Sequence, residues 1–213
     1  MTDAVVFDLD GLLLDTEQLW DEVREDLARE RGGTWSDRAQ TDMMGMSSPE
    51  WSAYMHEVVG LADAPDEIAA EVVRRMSGRY RDQLPLLPGA REAVERIAEH
   101  RRLGLASSSN RPLIDLALEL GRLAPYFRVT VSSEEVARGK PAPDVYIEAT
   151  RRLGVEPRRA TAVEDSRSGI RSAHAAGLRV VAIPNAHYRP DEESLALADV
   201  VLESLDELTR DVV

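Results

Sequence analysis

Six side chains in four separate segments of this sequence carry groups suited to a single chemistry. Asp8 and Asp10 close a short apolar run in "VVFDLDG", Ser107 closes another in "LGLAS", and Glu164 and Asp165 follow a third in "TAVEDS". Lys140, in "RGKPAPD", is the only lysine among 26 lysines and arginines. Arginine presents a rigid fork, whereas lysine sets a compact charge on a flexible stem against a single oxygen. Acidic groups, a hydroxyl and one retained ammonium together describe a magnesium-assisted phosphoryl-transfer site.

The roles divide by chemical type. An Asp8 carboxylate acting as nucleophile would carry an aspartyl-phosphate and split hydrolysis into two steps. Asp10, two residues on, reaches the leaving-group oxygen, giving a proton first and taking one from water afterwards. The chain has to turn at Gly11 for both groups to stay at one place. Mg²⁺ takes near-octahedral oxygen ligands and keeps several waters. The Asp8 carboxylate, the Asp10 main-chain carbonyl and Asp165 therefore suffice as the protein's share, with Glu164 either a further ligand or a neighbour. The Ser107 hydroxyl and the main chain that follows at Ser108 are candidates to hold phosphoryl oxygens, and Lys140 offsets charge on the nucleophile and the transferring group. Singly, each motif has a plainer explanation, because strand-end Asp pairs are often turns and runs such as Ser107 to Asn110 are often helix caps. Their joint occurrence, each at the end of an apolar run, favours the site.

Something must bring these segments together. Apolar, β-favouring runs lie at 4–8, 103–107, 127–131, 160–164 and 178–183, separated by helical spacings such as Ala90, Val94, Ile97 and Ala98. Near-continuous apolar strands alternating with helices indicate a parallel sheet covered on both faces, hence a doubly wound α/β core. Pro112 in a first helical turn and Gly121, Gly154 and Gly177 at helix ends agree. Ligands of such a sheet bind beyond the carboxyl ends of its strands, where Asp8, Asp10, Ser107, Glu164 and Asp165 all fall. Residues 16–87 break the alternation. Stripes of Trp20, Val23 and Leu27, then of Ile68, Val72, Met76 and Tyr80, are helical, and the stretch is too long for a crossover. The sequence thus predicts an all-helical cap domain at 16–87 inserted into a core formed by 1–15 and 88–213. Gly32-Gly33 and Met44-Gly45-Met46 are expected turns within the insertion, and "RPDEES" at 189–194 is an expected surface loop.

Bulk properties narrow the partners. A length of 213 residues accommodates one full core and a smaller second domain. The net charge of −13 argues against nucleic acid and anionic membranes, which reward a basic face. It also opposes long-range attraction of a phosphorylated substrate, so local positive charge must come from a metal and Lys140. The sequence contains no cysteine, which excludes disulfides and thiolate metal sites. No apolar run approaches the length of a membrane span or a signal peptide. The expectation is a cytoplasmic monomer acting on a small phosphate monoester.

These motifs resemble those of the haloacid dehalogenase superfamily, in the branch of magnesium phosphatases and phosphomutases with a helical cap after the first motif. "FDLDGLLLDTE", "LASSSN", "GKPAPD" and "VEDSRSGIRSAHAAG" are similar to its four motifs in order, and span nearly the whole chain. The resemblance implies Asp8 as nucleophile, Asp10 as acid/base, Ser107 and Lys140 as phosphate ligands, Asp165 as metal ligand and a cap that closes over substrate. "DTEQLW", "LLPGAREAV" and "LASSS" look most like bacterial sugar-phosphate phosphatases of the 2-deoxyglucose-6-phosphate and hexitol-phosphate kind.

Three departures separate the chain from the phosphoglucomutases of this fold. Those enzymes carry a histidine, an arginine and a lysine where Trp20, Ser48 and Met76 stand here. A mutase must hold a second phosphate on the cap side, which calls for a cation; the sequence suggests none there, and Trp20, Trp51 and Met76 are expected as cap core. A phosphomutase remains the alternative enzyme. A non-catalytic phospho-aspartate switch, which also uses Mg²⁺, a Ser or Thr and a Lys on a parallel sheet, is the alternative from another class. A dehalogenase would leave the second aspartate and the acidic corner without a purpose.

Overall fold

Strands with no polar face build the centre of the molecule. The computed structural model describes residues 2–36, 38–43, 46–185 and 188–213; the turn expected at Met44 and Gly45 lies outside the described residues. Strand β1 (Ala4–Phe7) is buried throughout. Its Val5 and Phe7 enter an apolar cluster on one side of the sheet, and Ala4 and Val6 enter a second on the other. This two-sided burial is the reason for a run without polar alternation.

After β1 come helices α1 (Glu17–Glu30), α2 (Ala39–Met43), α3 (Ser48–Glu57) and α4 (Pro65–Asp82), with no strand among the described residues between them. The chain then alternates: α5 (Ala90–Ala98), β2 (Arg102–Ser107), α6 (Arg111–Leu120), β3 (Phe127–Ser132), α7 (Asp144–Leu153), β4 (Ala160–Glu164), α8 (Arg167–Ala175), β5 (Arg179–Ala182), α9 (Glu192–Leu195) and β6 (Val200–Val201). All paired strands are parallel, in the order β3-β2-β1-β4-β5-β6. The protein has the expected doubly wound α/β fold. The five apolar runs are the five longer strands. Two differences are local. Strand β6 has only two residues, too short for a periodicity to show. The segment expected as a loop at 189–194 instead starts the short α9, because the Asp191 side chain accepts from the Ser194 N–H and caps a turn.

Where the chain enters and leaves the four-helix stretch, its two passages run side by side. Leu14 pairs antiparallel with Leu86, the Asp15 N–H donates to the Pro85 carbonyl (2.8 Å), and the Leu87 N–H donates to the Leu13 carbonyl (2.9 Å). Helix α4 packs against α1 and α3, and also against α6 beside the sheet. One apolar cluster therefore runs from Phe7 through Leu12 and Leu14 to Trp20, Trp51 and Met76.

Met76 lies wholly inside that cluster. Met76→Ala should lower unfolding stability by about 2–5 kcal/mol through lost burial and a residual cavity. Urea denaturation followed by circular dichroism checks this, and an unshifted midpoint would contradict a packed environment.

Candidate active site

Sheet order creates the site. The chain lays down β1, β2 and β3 to one side, then returns to place β4, β5 and β6 on the other, so strand order reverses between β1 and β4. Pairing of Phe7 with Val163 and a hydrogen bond from the Asp8 N–H to the Val163 carbonyl (3.0 Å) bring Asp8 beside Glu164. Asp165 follows at once. The three carboxylates offer oxygens that all lie within 4.8 Å of one another, and all three residues are buried.

Lys140 enters this cluster from the loop before α7. Its Nζ donates to Asp8 Oδ1 (2.6 Å) and Glu164 Oε1 (2.5 Å), and it lies 5.1 Å from the centre of the Tyr146 ring. Only 5% of the residue is exposed, so a surface-turn explanation for Lys140 does not apply. Burial works against the ammonium, but Asp8 and Glu164 outweigh it and hold the lysine above its ordinary value. Burial also raises the Asp8 carboxyl; Lys140 pulls it down and Glu164 pushes it up.

Glu164 is saturated by donors. Oε1 accepts from Lys140 and from the Tyr146 hydroxyl (2.7 Å). Oε2 accepts from the Asp165 N–H, the Ser166 N–H and the Ser166 hydroxyl at 3.1–3.2 Å. A Cβ on Gly169 would fall 1.8 Å from Oε1, so α8 can pass this carboxylate only with glycine there. Asp165 differs. It is 2% exposed, and its Oδ1 has no hydrogen-bond partner among the described residues. Burial, then the Glu164 and Asp8 charges, push its carboxyl far above the usual range. Gly11 (φ +83°) faces it closely: a Cβ there would lie 2.2 Å from Asp165 Oδ2.

An orphaned buried oxygen, and three carboxylates against one ammonium, make a set of hard oxygen donors with excess negative charge. That donor set fits a small divalent cation.

Asp10 sits in a ring of donors. Its Oδ1 accepts from Thr16 (2.7 Å), the Trp20 indole (3.2 Å) and Tyr80 (3.4 Å), and its Oδ2 from Ser109 (2.6 Å) and Ser107 (3.4 Å). Donors from the helical stretch and from the sheet thus meet on one carboxylate. Ser107, fully buried at the end of β2, also accepts from the Ser109 N–H (2.9 Å). Ser108 and Ser109, rather than Ser107, line the pocket, with Asp8, Asp10 and Lys140. The cavity there is small, about 60 Å³, well below the range of about 300–1,000 Å³ usual for small-molecule sites.

A family model of haloacid dehalogenase-like hydrolases matches residues 5–183. The chain belongs to this family. It is 34% identical to hexitol phosphatase B of Escherichia coli (strain K12), over 97% of this chain and 94% of that protein. It is 32% identical to the phosphorylated carbohydrates phosphatase of Thermotoga maritima, over 83% of this chain and 82% of that one. The crystal structure of CbbY from Rhodobacter sphaeroides in complex with phosphate is similar at a TM-score of 0.86 and 29% identity, covering 98% of this chain and 96% of that chain.

Several groups at this hydrolase's site escaped sequence reasoning. Thr16, Tyr80 and Ser109 hold Asp10, and Tyr146 holds Glu164, yet each sits in a segment whose apolar pattern or cap function already accounts for it. Trp20 and Trp51 are buried as expected and also line the pocket. The expectation that the cap side carries no cation is corrected. Arg24 of α1 lines the pocket, 5% exposed, with its Cζ 4.7 Å from the Trp20 ring centre and 4.8 Å from that of Trp51. Its position on the apolar stripe of α1, one residue past Val23, could have singled it out.

Lys140→Met keeps the stem and removes the charge that compensates the carboxylates. Leaving buried charge unpaired costs about 3–5 kcal/mol, and the loss should appear as a lower urea midpoint without divalent metal. An unchanged midpoint would show that the ammonium is not what holds the cluster.

Proposed function

We propose that this hydrolase is a magnesium-dependent phosphatase, a phosphoric monoester hydrolase acting on small phosphorylated sugars or polyols through an aspartyl-phosphate at Asp8. The observation that carries this reading is the buried cluster of Asp8, Glu164, Asp165 and Lys140, with Asp8, Lys140 and Asp10 lining one pocket. The names of the relatives, a hexitol phosphatase and a phosphatase of phosphorylated carbohydrates, support the substrate class.

The Asp8 carboxylate, the Asp10 main-chain carbonyl and Asp165 would hold Mg²⁺. Once bound, the ion supplies charge neutralisation at the phosphoryl oxygens and the nucleophile. An Asp8 oxygen attacks phosphorus as the bond to the leaving oxygen breaks, and that oxygen takes the proton carried by Asp10. Asp10, now a carboxylate, takes a proton from water as the water oxygen attacks phosphorus. The bond to Asp8 breaks, and inorganic phosphate leaves. A protonated Asp10 must donate where it now accepts, so substrate has to displace one of its five donors. The 3.4 Å contacts from Ser107 and Tyr80 are the weakest of these. A Ser107 hydroxyl freed in this way would turn to a phosphoryl oxygen, beside Ser108 and Lys140. Glu164, with both oxygens occupied, orients Lys140 and leaves the metal to Asp8 and Asp165.

Arg24 makes a phosphomutase more plausible than the sequence alone suggested, since a cap-side cation exists. Glu17, on the same wall, opposes a second dianion. The phospho-aspartate switch is disfavoured by Asp10, which lines the same pocket as Asp8 and would serve turnover rather than persistence of the acyl-phosphate.

Asp8→Asn keeps the shape of the nucleophile without its charge, and should abolish Mg²⁺-dependent phosphate release from a panel of sugar and polyol phosphates while the fold stays intact. Near-wild-type turnover would refute the covalent route. Asp10→Asn should slow single-turnover phosphorylation by alkyl phosphates at least tenfold more than by aryl phosphates, whose leaving groups need little protonation. Equal losses would remove the acid role.

A further inference from the structure

Arg24 has no task in the chemistry above. It projects from α1 into the pocket wall against the paired Trp20 and Trp51 rings, buried, and its Nε finds no hydrogen-bond partner among the described residues. A buried guanidinium is expensive unless its N–H groups and charge are answered. Stacking on two indole faces answers part of the charge and none of the in-plane donors.

Glu17, about two turns earlier on the same helix, lines the same pocket. Its carboxylate accepts a long hydrogen bond from Gln40 Nε2 (3.3 Å), which leaves acceptor capacity toward the cavity. Burial and the Asp10 charge push this carboxyl up to about 7, with Arg24 pulling the other way. Burial lowers Arg24 to about 10, against the pull of Glu17, Asp10 and Asp21. The surroundings of Arg24 are therefore acidic, and a second phosphate entering here would meet carboxylates as well as the guanidinium.

We infer that Arg24 and Glu17 form a donor and acceptor pair that selects a neutral, polyhydroxylated leaving group, gripping neighbouring hydroxyls within its first few carbons. Trp20 sets the distance between this pair and the reacting centre. Its indole N–H lies 3.2 Å from Asp10 Oδ1, and the Arg24 guanidinium lies against the ring of the same side chain. Arg24 is thus about one indole away from the group that protonates the leaving oxygen. A hydroxyl there accepts from the guanidinium while its proton, or that of its neighbour, is donated to Glu17. A ligand without hydroxyls leaves the buried guanidinium of Arg24 with in-plane donors unanswered, the situation in which hydrogen-bonding sites discriminate most strongly. This inference rests on the phosphatase reading and adds its specificity determinants.

The test measures kcat/KM with Mg²⁺ for D-sorbitol 6-phosphate, hexyl phosphate, fructose 6-phosphate, fructose 1,6-bisphosphate and 4-nitrophenyl phosphate, using the wild type, Arg24→Gln, Arg24→Lys and Glu17→Gln. The wild type should prefer sorbitol 6-phosphate over hexyl phosphate by at least tenfold. Arg24→Gln and Glu17→Gln should each lower activity on sorbitol 6-phosphate at least tenfold more than on 4-nitrophenyl phosphate. Arg24→Lys, which keeps charge but loses the fork, should recover only part of the loss. Equal losses on the polyol and aryl esters would mean that Arg24 only packs against the two indoles, and would overturn the inference. So would a wild-type preference for the bisphosphate that disappears in Arg24→Gln. Failure of the wild type on every ester, including 4-nitrophenyl phosphate, would instead refute the phosphatase reading on which the inference rests.

Discussion

A single ammonium buried among three carboxylates is the constraint from which the rest of this structure follows. Lys140 bonds to Asp8 and Glu164 with almost no water contact, while Asp165 keeps an oxygen without a partner among the described residues. Charges so close inside a protein interact strongly, and taking each out of water carries a penalty of several kcal/mol. Such a cluster persists only if surrounding backbone fixes it and further charge completes it. The parallel pairing of β1 with β4 does the first by placing Asp8 beside Glu164. The excess of carboxylates points to a cation for the second.

Glycine marks where that cluster crowds the backbone. Gly11 lets the chain turn with a positive φ where an added Cβ would strike the Asp165 carboxylate, and Gly169 lets α8 begin directly over Glu164. In both cases a methyl group would collide with a carboxylate rather than with a pliable apolar side chain.

The four-helix stretch is bound to the sheet in two ways that differ in character. The apolar cluster from Phe7 to Met76 is non-directional and fixes only that the parts touch. Asp10 is directional: Trp20, Tyr80 and Thr16 donate to one of its oxygens, Ser107 and Ser109 to the other. Any motion between helices and sheet has to exchange some of these bonds for bonds to substrate or water. The proton-carrying group of the proposed reaction is thereby also the group that senses whether the pocket is covered.

Two kinds of information divide between chain and fold. Asp8, Asp10, Glu164 and Asp165 were legible in sequence because each ends an apolar run, and the carboxyl end of a parallel strand is a place that local pattern alone identifies. Lys140 stood out by composition. The doubly wound sheet and the long helical stretch followed from periodicity, which is local as well. Nothing local tells which strands are neighbours, so the adjacency of β1 and β4 and the saturation of Glu164 by Tyr146 and Lys140 were decided by tertiary structure. The same holds for Arg24. On the sequence its place on the apolar stripe of α1 marks it only as inward-facing, and the meeting of α1 with α3 is what brings the Trp20 and Trp51 rings against it at the pocket. A side chain's type and period are written in the chain, but what it faces depends on contacts between segments far apart in sequence.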